Sequence, residues 1–342
     1  MVETRPTATE SRRIPFGGDV MLGRTVAETI LRNGPGYPLG PVAHIMRDAD
    51  LTIVNLECAI TSCAKRWGGA AKAFYFGAPL EAIETLSDAG VDLVSLANNH
   101  VLDFGVEGLR ETLGLLRRHG IHIAGAGENS TEAARPCIIR CGEIVLGMAA
   151  FCDHQTDFAA TASRPGIAYI DLGDEPAAMV TLQSALAPLL RAAVDWPVLS
   201  LHWGPNLVVR PSVAFRRLAH AAIDMGWKII FGHSAHVFQG IEIYRGCPVL
   251  CAAGDLVDDY YVYPEYRNDL QLLLKLELTR MALRRIVLHP VYIHACQARP
   301  ASGDASAAIV SRMRALCSEM GTAVQQHGGL VWIEGSGASD RK

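Results

Sequence analysis

Short apolar runs alternate with amphipathic segments along most of this chain. Mostly apolar runs of strand length lie at 14–20, 51–54, 91–94, 121–124, 198–201, 229–231 and 249–253. Apolar residues at helical spacing lie at 79–89, 106–119, 176–193 and 211–225. Because strand and helix succeed each other, the pattern predicts an α/β fold of layered sheets flanked by helices.

The segments outside this alternation complete the prediction. Residues 137–151 predict two short strands, and residues 152–165 predict an irregular loop. A β-rich portion, packed on the second half of the sheet, is predicted from runs at 238–244, 270–276 and 284–288. An amphipathic helix is predicted at 305–326.

This pattern favours one compact unit. We expect a disordered leader over 1–13, a single domain over 14–300, and a C-terminal helix and tail over 301–342 that packs on the same domain. At 342 residues, half of them hydrophobic, the chain is long enough to bury a large core.

Composition and charge exclude several classes of partner. The net charge is −4 and no basic run occurs, which argues against nucleic acid or an anionic membrane as a partner. No apolar stretch approaches the roughly 18 residues of a membrane span, and the polar start is unlike a secretory signal, so the chain is predicted to be soluble and cytoplasmic. The nine cysteines are an odd number without close pairs, and most of them are predicted to be reduced core residues. The sequence does not determine the oligomeric state, and a homo-oligomer is compatible with it.

Polar residues follow the predicted strands where these strands end. The segment at 95–105, SLANNHVLDFG, places Asn98, Asn99, His100 and Asp103 after an apolar run. Burying such groups without partners costs about 1 to 3 kcal/mol each, so folding alone does not explain them. In open α/β sheets this is the edge that binds ligands.

Other strand ends repeat this pattern of carboxylates, amides and imidazoles, with Asp19, Asn55, Glu57, His202, His233, His236 and Asp255. Such a mixed nitrogen and oxygen set binds divalent ions, with Mn, Ca, Mg, Zn and Fe not distinguished. The alternatives are ordinary structural roles: Asp19 and Asp103 as helix caps, and the histidines as satisfied core residues. We expect substrate contacts from the residues near these strand ends and loops, Arg24, Asn55, Asn98, Trp203, His154, Asp157 and His294.

Six ordered motifs resemble the CapA-type, poly-gamma-glutamate capsule synthesis family: GDVMLGR, NLE, ANNHVLDFG, HWG, GHSAHVFQGIE and GDLVDDY. The resemblance implies a fold like that of calcineurin-like metallophosphoesterases. It also implies metal ligands at Asp19, Glu57, Asn99, His202, His233 and His236. Met21 stands where the family of phosphoesterases has a ligand histidine, which favours one well-held ion over a tight pair.

The same family is similar to peptide epimerases of lasso-peptide biosynthesis, and this resemblance favours a metal-dependent isomerase. It would invert the C-terminal Cα of a ribosomal precursor peptide by two-base chemistry. The catalytic set would be Asp19, His100, Asp103, His236 and Asp255. Two alternatives stay open: a CapA-like hydrolase of an amide or phosphoester acting in poly-gamma-glutamate synthesis, and a non-catalytic module that binds an anionic polymer.

Overall fold

The computed structural model describes residues 11–335, which contain twenty strands and eight α-helices. The strands in chain order are β1 (Arg12–Val20), β2 (Ile53–Leu56), β3 (Ala59–Ile60), β4 (Gly77–Ala78), β5 (Leu93–Ser95), β6 (His122–Ala124), β7 (Ala126–Gly127), β8 (Cys137–Cys141), β9 (Ile144–Cys152), β10 (Gly166–Ile167), β11 (Trp196–His202), β12 (Ile229–His233), β13 (Ile241–Tyr244), β14 (Cys247–Leu250), β15 (Asp255–Val257), β16 (Leu270–Leu278), β17 (Leu283–His294), β18 (Gln297–Pro300), β19 (Val324–His327) and β20 (Leu330–Glu334).

The helices lie mostly between parallel strands. They are α1 (Arg24–Asn33), α2 (Gly40–Arg47), α3 (Ala82–Ala89), α4 (Gly105–Arg118), α5 (Ser130–Ala133), α6 (Glu175–Arg191), α7 (Val213–Met225) and α8 (Gly303–Ser318). No helix in this part of the chain is both long and apolar enough to cross a membrane. All nine cysteines are free thiols.

The larger sheet has ten strands, of which eight follow the order β19-β20-β17-β16-β1-β2-β5-β6. Strands β1, β2, β5 and β6 run parallel to one another, and β16 joins β1 on its other side in antiparallel orientation. β15 also pairs with β1, in parallel. Seven of the nine residues of β1 are buried, as expected of a central strand covered on both faces.

A second sheet of six strands has the order β13-β14-β12-β11-β9-β8, with β9, β11, β12 and β14 parallel. Phe16 of β1 meets Phe231 of β12 edge to face at 5.1 Å between ring centroids, so the two sheets face each other across one core. Helices α6 and α7 pack over this second sheet in a separate apolar cluster. The layered α/β architecture predicted from the sequence is therefore confirmed.

Three details differ from the sequence prediction. β1 begins at Arg12, so the leader predicted over 1–13 is too long, and residues 1–10 lie outside the described range. The β-rich strand β16 pairs with β1 in the larger sheet, and β17 pairs with β16. Neither strand joins the second-half strands, because their apolar face completes the core around Leu274.

The C-terminal segment also differs from prediction. The helix predicted at 305–326 ends at Ser318, and the chain continues as the hairpin of β19 and β20, which adds to the larger sheet through β17. Gly328 and Gly329 form the hairpin turn at φ angles of 54° and 83°, a left-handed conformation that glycine adopts without strain.

Candidate metal centre

The polar strand ends converge at one edge of the two facing sheets. Asp19 at the end of β1 is the register partner of Asn55 on β2 and of Asp255 on β15. In the second sheet, His202 of β11 is the register partner of His233 of β12. Asp19, Asn55, His202 and His233 lie at or near the carboxyl ends of strands that are parallel within each sheet, which is the edge where such sheets present side chains. Asp255 reaches the same edge as the first residue of β15.

A glycine allows β1 and β15 to approach closely. A Cβ atom on Gly18 would lie 1.8 Å from the carbonyl oxygen of Gly254, so only glycine fits here. The next residue, Asp19, donates its backbone N–H to that carbonyl at 2.9 Å. This contact fixes the Asp19 backbone against the start of β15 and places its carboxylate beside that of Asp255.

The first group of potential metal ligands consists of Asp19, His202 and His233, whose ligand atoms lie within 4.8 Å of one another. The Nδ1 atoms of His202 and His233 are 2.8 Å apart, and Nδ1 of His233 is 3.8 Å from Oδ1 of Asp19. The hydroxyl group of Ser200 lies 2.9 Å from Nε2 of His233. A partner on the far nitrogen orients an imidazole toward an ion, as in many metal sites.

The second group consists of Asp19, Glu57, His236 and Asp255, again within 4.8 Å. Nδ1 of His236 lies 2.9 Å from Oδ1 of Asp255 and 3.6 Å from Oδ2 of Asp19. Both carboxylate oxygens of Glu57 and Oδ2 of Asp255 are buried with no hydrogen-bond partner among the described residues. Buried oxygens of this kind have lost their hydration and gained no hydrogen bond in return. A bound divalent cation would provide the missing interaction. The set of donor atoms therefore fits a divalent cation. Asp19 belongs to both groups of ligands.

The pKa values of the side chains in the centre are shifted by burial and by the neighbouring charges. Burial raises the pKa of Glu57 well above its ordinary value, and the nearby charge of Asp19 adds to this effect. Burial opposes a charge on His236, but the carboxylates of Asp255 and Glu57 outweigh it and raise the pKa of His236. Burial lowers the pKa of His202, and lowers that of His233 to about 4. The neutral imidazoles of His202 and His233 are the form that binds metal ions.

His100 and Asp103 form a buried pair beside these groups. Nδ1 of His100 lies 2.6 Å from Oδ2 of Asp103, and Nε2 of His100 lies 3.9 Å from Oε1 of Glu57. The His100 ring stacks on Phe76 at 3.8 Å between centroids. Burial lowers the pKa of His100 to about 4. His100 is therefore neutral at neutral pH, with Nε2 on the side of the metal groups.

Asp19 and Asp103 do not cap helices, although helix capping was the structural alternative for both residues in the sequence analysis. The N-cap residues of α1 and α4 are Gly23 and Phe104, and neither makes a side-chain cap hydrogen bond. Asp19 instead accepts hydrogen bonds from Nδ2 of Asn55 at 2.7 Å and from the backbone N–H of Ser234 at 3.1 Å.

The three asparagines have different surroundings. Nδ2 of Asn98 donates to Oδ1 of Asn55 and to the carbonyl oxygen of Leu56, while its Oδ1 accepts the backbone N–H groups of His100 and Val101. Asn55 and Asn98 thus brace Asp19 and the segment before α4, and both are buried. Oδ1 of Asn99 is buried without a partner among the described residues, which leaves it available to a ligand.

Arg24 and His154, both predicted to contact substrate, lie at the edge of the centre. The guanidinium group of Arg24 pairs with Asp259 at 3.3 Å and lies 5.9 Å from the centroid of Phe76. The His154 ring lies 5.6 Å from that of His202, and its Nδ1 is 2.5 Å from Asp153. Burial opposes the charge on His154, but Asp153 outweighs it and raises the pKa.

The other three predicted substrate residues lie in other surroundings. Trp203 is buried, donates to the carbonyl oxygen of Cys251 and stacks on Phe215, so it packs in the core. Asp157 accepts hydrogen bonds from the loop that follows β3. His294 is exposed and stacks on Tyr292 at 5.6 Å.

Sequence reasoning missed Lys72, and Asp258, which follows a predicted strand end, was as compatible with a solvated loop charge as with a place in the centre. Lys72, in the loop between β3 and β4, contacts Asp103, and Asp258 adds a buried carboxylate next to Asp255. Burial and the neighbouring charge of Asp255 raise the pKa of Asp258. A lysine in a run of small residues carries no pattern that could have identified it.

Comparison with known proteins gives these matches. A family model described as bacterial capsule synthesis protein PGA_cap matches residues 13–260. A probable polyglutamine synthesis accessory protein of Mycobacterium tuberculosis is 30% identical, over 75% of this chain and 78% of its own length. The PGA biosynthesis protein CapA of Bacillus subtilis is 28% identical, over 84% and 73%. The capsule biosynthesis protein CapA of Bacillus anthracis is 28% identical, over 71% and 58%. A solved sulfate thiohydrolase SoxB of Thermus thermophilus, in complex with glycerol, is 12% identical with a TM-score of 0.45, over 93% of this chain and 62% of that one.

Proposed function

This chain belongs to the bacterial capsule synthesis protein PGA_cap family, and from that premise we propose that it is a divalent-metal-dependent hydrolase of an amide or phosphoester bond in an anionic polymer of the poly-gamma-glutamate class. The observation that carries the proposal is the pair of ligand groups that share Asp19 beside the His100–Asp103 pair. The names of the relatives, capsule and PGA biosynthesis proteins, supply the polymer class.

The residues of this chain have separate roles in such a reaction. Asp19, Glu57, His202, His233, His236 and Asp255 would hold the metal. A divalent ion held there would supply Lewis-acid chemistry, the polarisation of the scissile group and the activation of water.

His100 moves the proton in this proposal. Its neutral Nε2 accepts a proton from the attacking water, Asp103 stabilises the imidazolium through Nδ1–H, and Nε2 then returns the proton to the leaving group.

Hydrolysis accounts for the geometry better than the epimerisation expected from sequence. Inversion of a Cα needs two free bases on opposite faces, and Asp19 was to be one of them. Both oxygens of Asp19 accept hydrogen bonds, and the carboxylate belongs to both ligand groups, so it is engaged in binding rather than free to take a proton.

One experiment separates hydrolysis, epimerisation and binding alone. The protein is incubated in deuterated water, with Mn²⁺ or with EDTA, with poly-gamma-glutamate, a short γ-glutamyl peptide or bis(p-nitrophenyl) phosphate. We expect metal-dependent release of amine or nitrophenol, lost in His100→Gln. Deuterium at a Cα without bond cleavage would instead identify an epimerase. Polymer binding without bond cleavage and without deuterium incorporation would identify a non-catalytic binding module.

A further inference from the structure

The loop between β3 and β4, residues 61–76, is anchored on Asp103 from two directions. The backbone N–H of Trp67 donates to the carbonyl oxygen of Asp103 at 2.8 Å. The backbone N–H of Phe76 donates to Oδ2 of Asp103 at 2.7 Å, and the Phe76 ring stacks on His100. The loop therefore contacts both members of the His100–Asp103 pair.

Lys72 brings a buried positive charge from the same loop. Its ammonium group contacts Oδ1 of Asp103 and the carbonyl oxygen of Asn99, and it lies 4.7 Å from the centroid of the Phe158 ring. The Lys72 side chain is only 7% exposed and that of Asp103 is fully buried. A buried charge needs an opposite charge and hydrogen bonds, and each of these two groups supplies them to the other.

This contact determines where the proton of the His100 ring lies. With Lys72 on Oδ1 and the Phe76 N–H on Oδ2, Asp103 is stabilised as a carboxylate that only accepts hydrogen bonds. The short contact at Nδ1 of His100 must then be an N–H donated to Asp103, so Nε2 carries the lone pair. Nε2 is the nitrogen nearest the metal groups, 3.9 Å from Glu57.

We propose that Lys72 is a positioning residue that keeps Asp103 ionised and thereby holds His100 in the tautomer with hydrogen on Nδ1 and a free Nε2. Without the ammonium group, the buried Asp103 would take up a proton and donate it to Nδ1. That exchange would force hydrogen onto Nε2, where it would block proton acceptance from water.

The loop does not depend on Lys72 for its attachment. Oδ2 of Asp157 accepts hydrogen bonds from Nε1 of Trp67 at 2.7 Å and from the backbone N–H of Ala70 at 3.0 Å. The two backbone contacts to Asp103 also persist without the lysine side chain. Lys72→Met therefore removes the charge while most of the loop anchors stay in place.

The catalytic consequence rests on the proposed function, but the tautomer can be measured without turnover. Protein labelled with ¹⁵N-histidine is examined by two-bond ¹H–¹⁵N correlation, with and without Zn²⁺, and His100→Gln assigns the signal. Lys65→Met, on an exposed lysine of the same loop, is the matched control.

We expect hydrogen on Nδ1 of His100 in the wild type and in Lys65→Met, and hydrogen on Nε2 in Lys72→Met. Where a substrate of the panel above is cleaved, kcat of Lys72→Met should fall roughly 100-fold with little change in KM. An unchanged His100 signal in Lys72→Met overturns the inference. If that variant does not fold, hydrogen on Nε2 in the wild type overturns it equally. A tautomer that changes as expected in a protein that cleaves nothing refutes the proposed function alone.

Discussion

Asp19 and Asp255 are register partners on the neighbouring parallel strands β1 and β15, and Nδ1 of His236 lies 3.6 Å from Oδ2 of the first and 2.9 Å from Oδ1 of the second. Burial raises the pKa of Asp255 even though the neighbouring His236 opposes this effect, so His236 alone does not offset the cost of burying the carboxylate. A dication beside these side chains would supply the missing positive charge.

Replacement of Asp255 by asparagine should weaken metal binding strongly. The change removes a negative ligand and leaves His236 without its closest carboxylate. We expect the dissociation constant for Mn²⁺, measured by calorimetry, to rise about 100-fold, equivalent to about 2.7 kcal/mol. Asp224→Asn, at a half-exposed surface aspartate, is the control and should bind as the wild type does. Equal affinities in the two variants would show that Asp255 is not a ligand.

Asp19 and His202 should differ in how much metal their variants lose. Asp19 belongs to both ligand groups, whereas His202 belongs to one. We therefore expect Asp19→Asn to lose all bound metal and His202→Ala to lose only part of it, as measured by elemental analysis after gel filtration. Complete loss in His202→Ala would indicate a single site that spans both groups.

The sequence predicts part of this centre and leaves part of it open. The edge where Asp19, Glu57, His202 and His233 meet was predictable, because parallel strands deliver their ends to one place. The expectation of one ion rested on Met21, which is buried and whose sulfur accepts the N–H of Gly23. The sequence does not show that β15 pairs with β1, and it is this pairing that adds Asp255 to a second ligand group.

Pairing between strands that are distant in sequence also explains why the predicted strand arrangement was partly wrong. The runs that became β16 and β17 were recognised as strands, but an apolar run does not reveal which neighbour it joins. β16 pairs with β1 rather than with the later strands, which buries both faces of β1, and β17 follows by pairing with β16. Lys72 was missed for a similar reason, since its partner Asp103 lies 31 positions away.

The loop at 61–76 should open when Asp157 is replaced. Asp157→Ala removes the acceptor of Trp67 and Ala70 but touches none of the residues of the two ligand groups. We expect faster hydrogen exchange at Trp67 and Ala70 and cleavage by trypsin at Lys65 or Arg66, with metal content unchanged. Asp171→Ala, outside the loop, should leave both measurements as in the wild type. Unchanged exchange at Ala70 would show that the contacts to Asp103 hold the loop without Asp157.

Stability in acid should depend on His289 of β17. Burial lowers the pKa of His289 to about 4, and the charges of Lys275 and His44 add to this effect, with Asp48 opposing it. In the unfolded chain its pKa is about 6.5. Above pH 6.5 both states are neutral and His289 has no effect. As the pH falls below 6.5, the unfolded state binds a proton that the folded state does not, so the free energy of unfolding falls until about pH 4.

We expect His289→Gln to lose about 2 kcal/mol less stability than the wild type between pH 6.5 and pH 5, measured by urea unfolding of the metal-free protein. His122→Gln, at an exposed histidine of β6, is the control and should follow the wild type. The other buried histidines, such as His100, contribute equally in all three proteins, so the difference isolates His289. Parallel pH profiles for His289→Gln and the wild type would mean that the His289 side chain gains access to water when protonated, with no need for the protein to unfold.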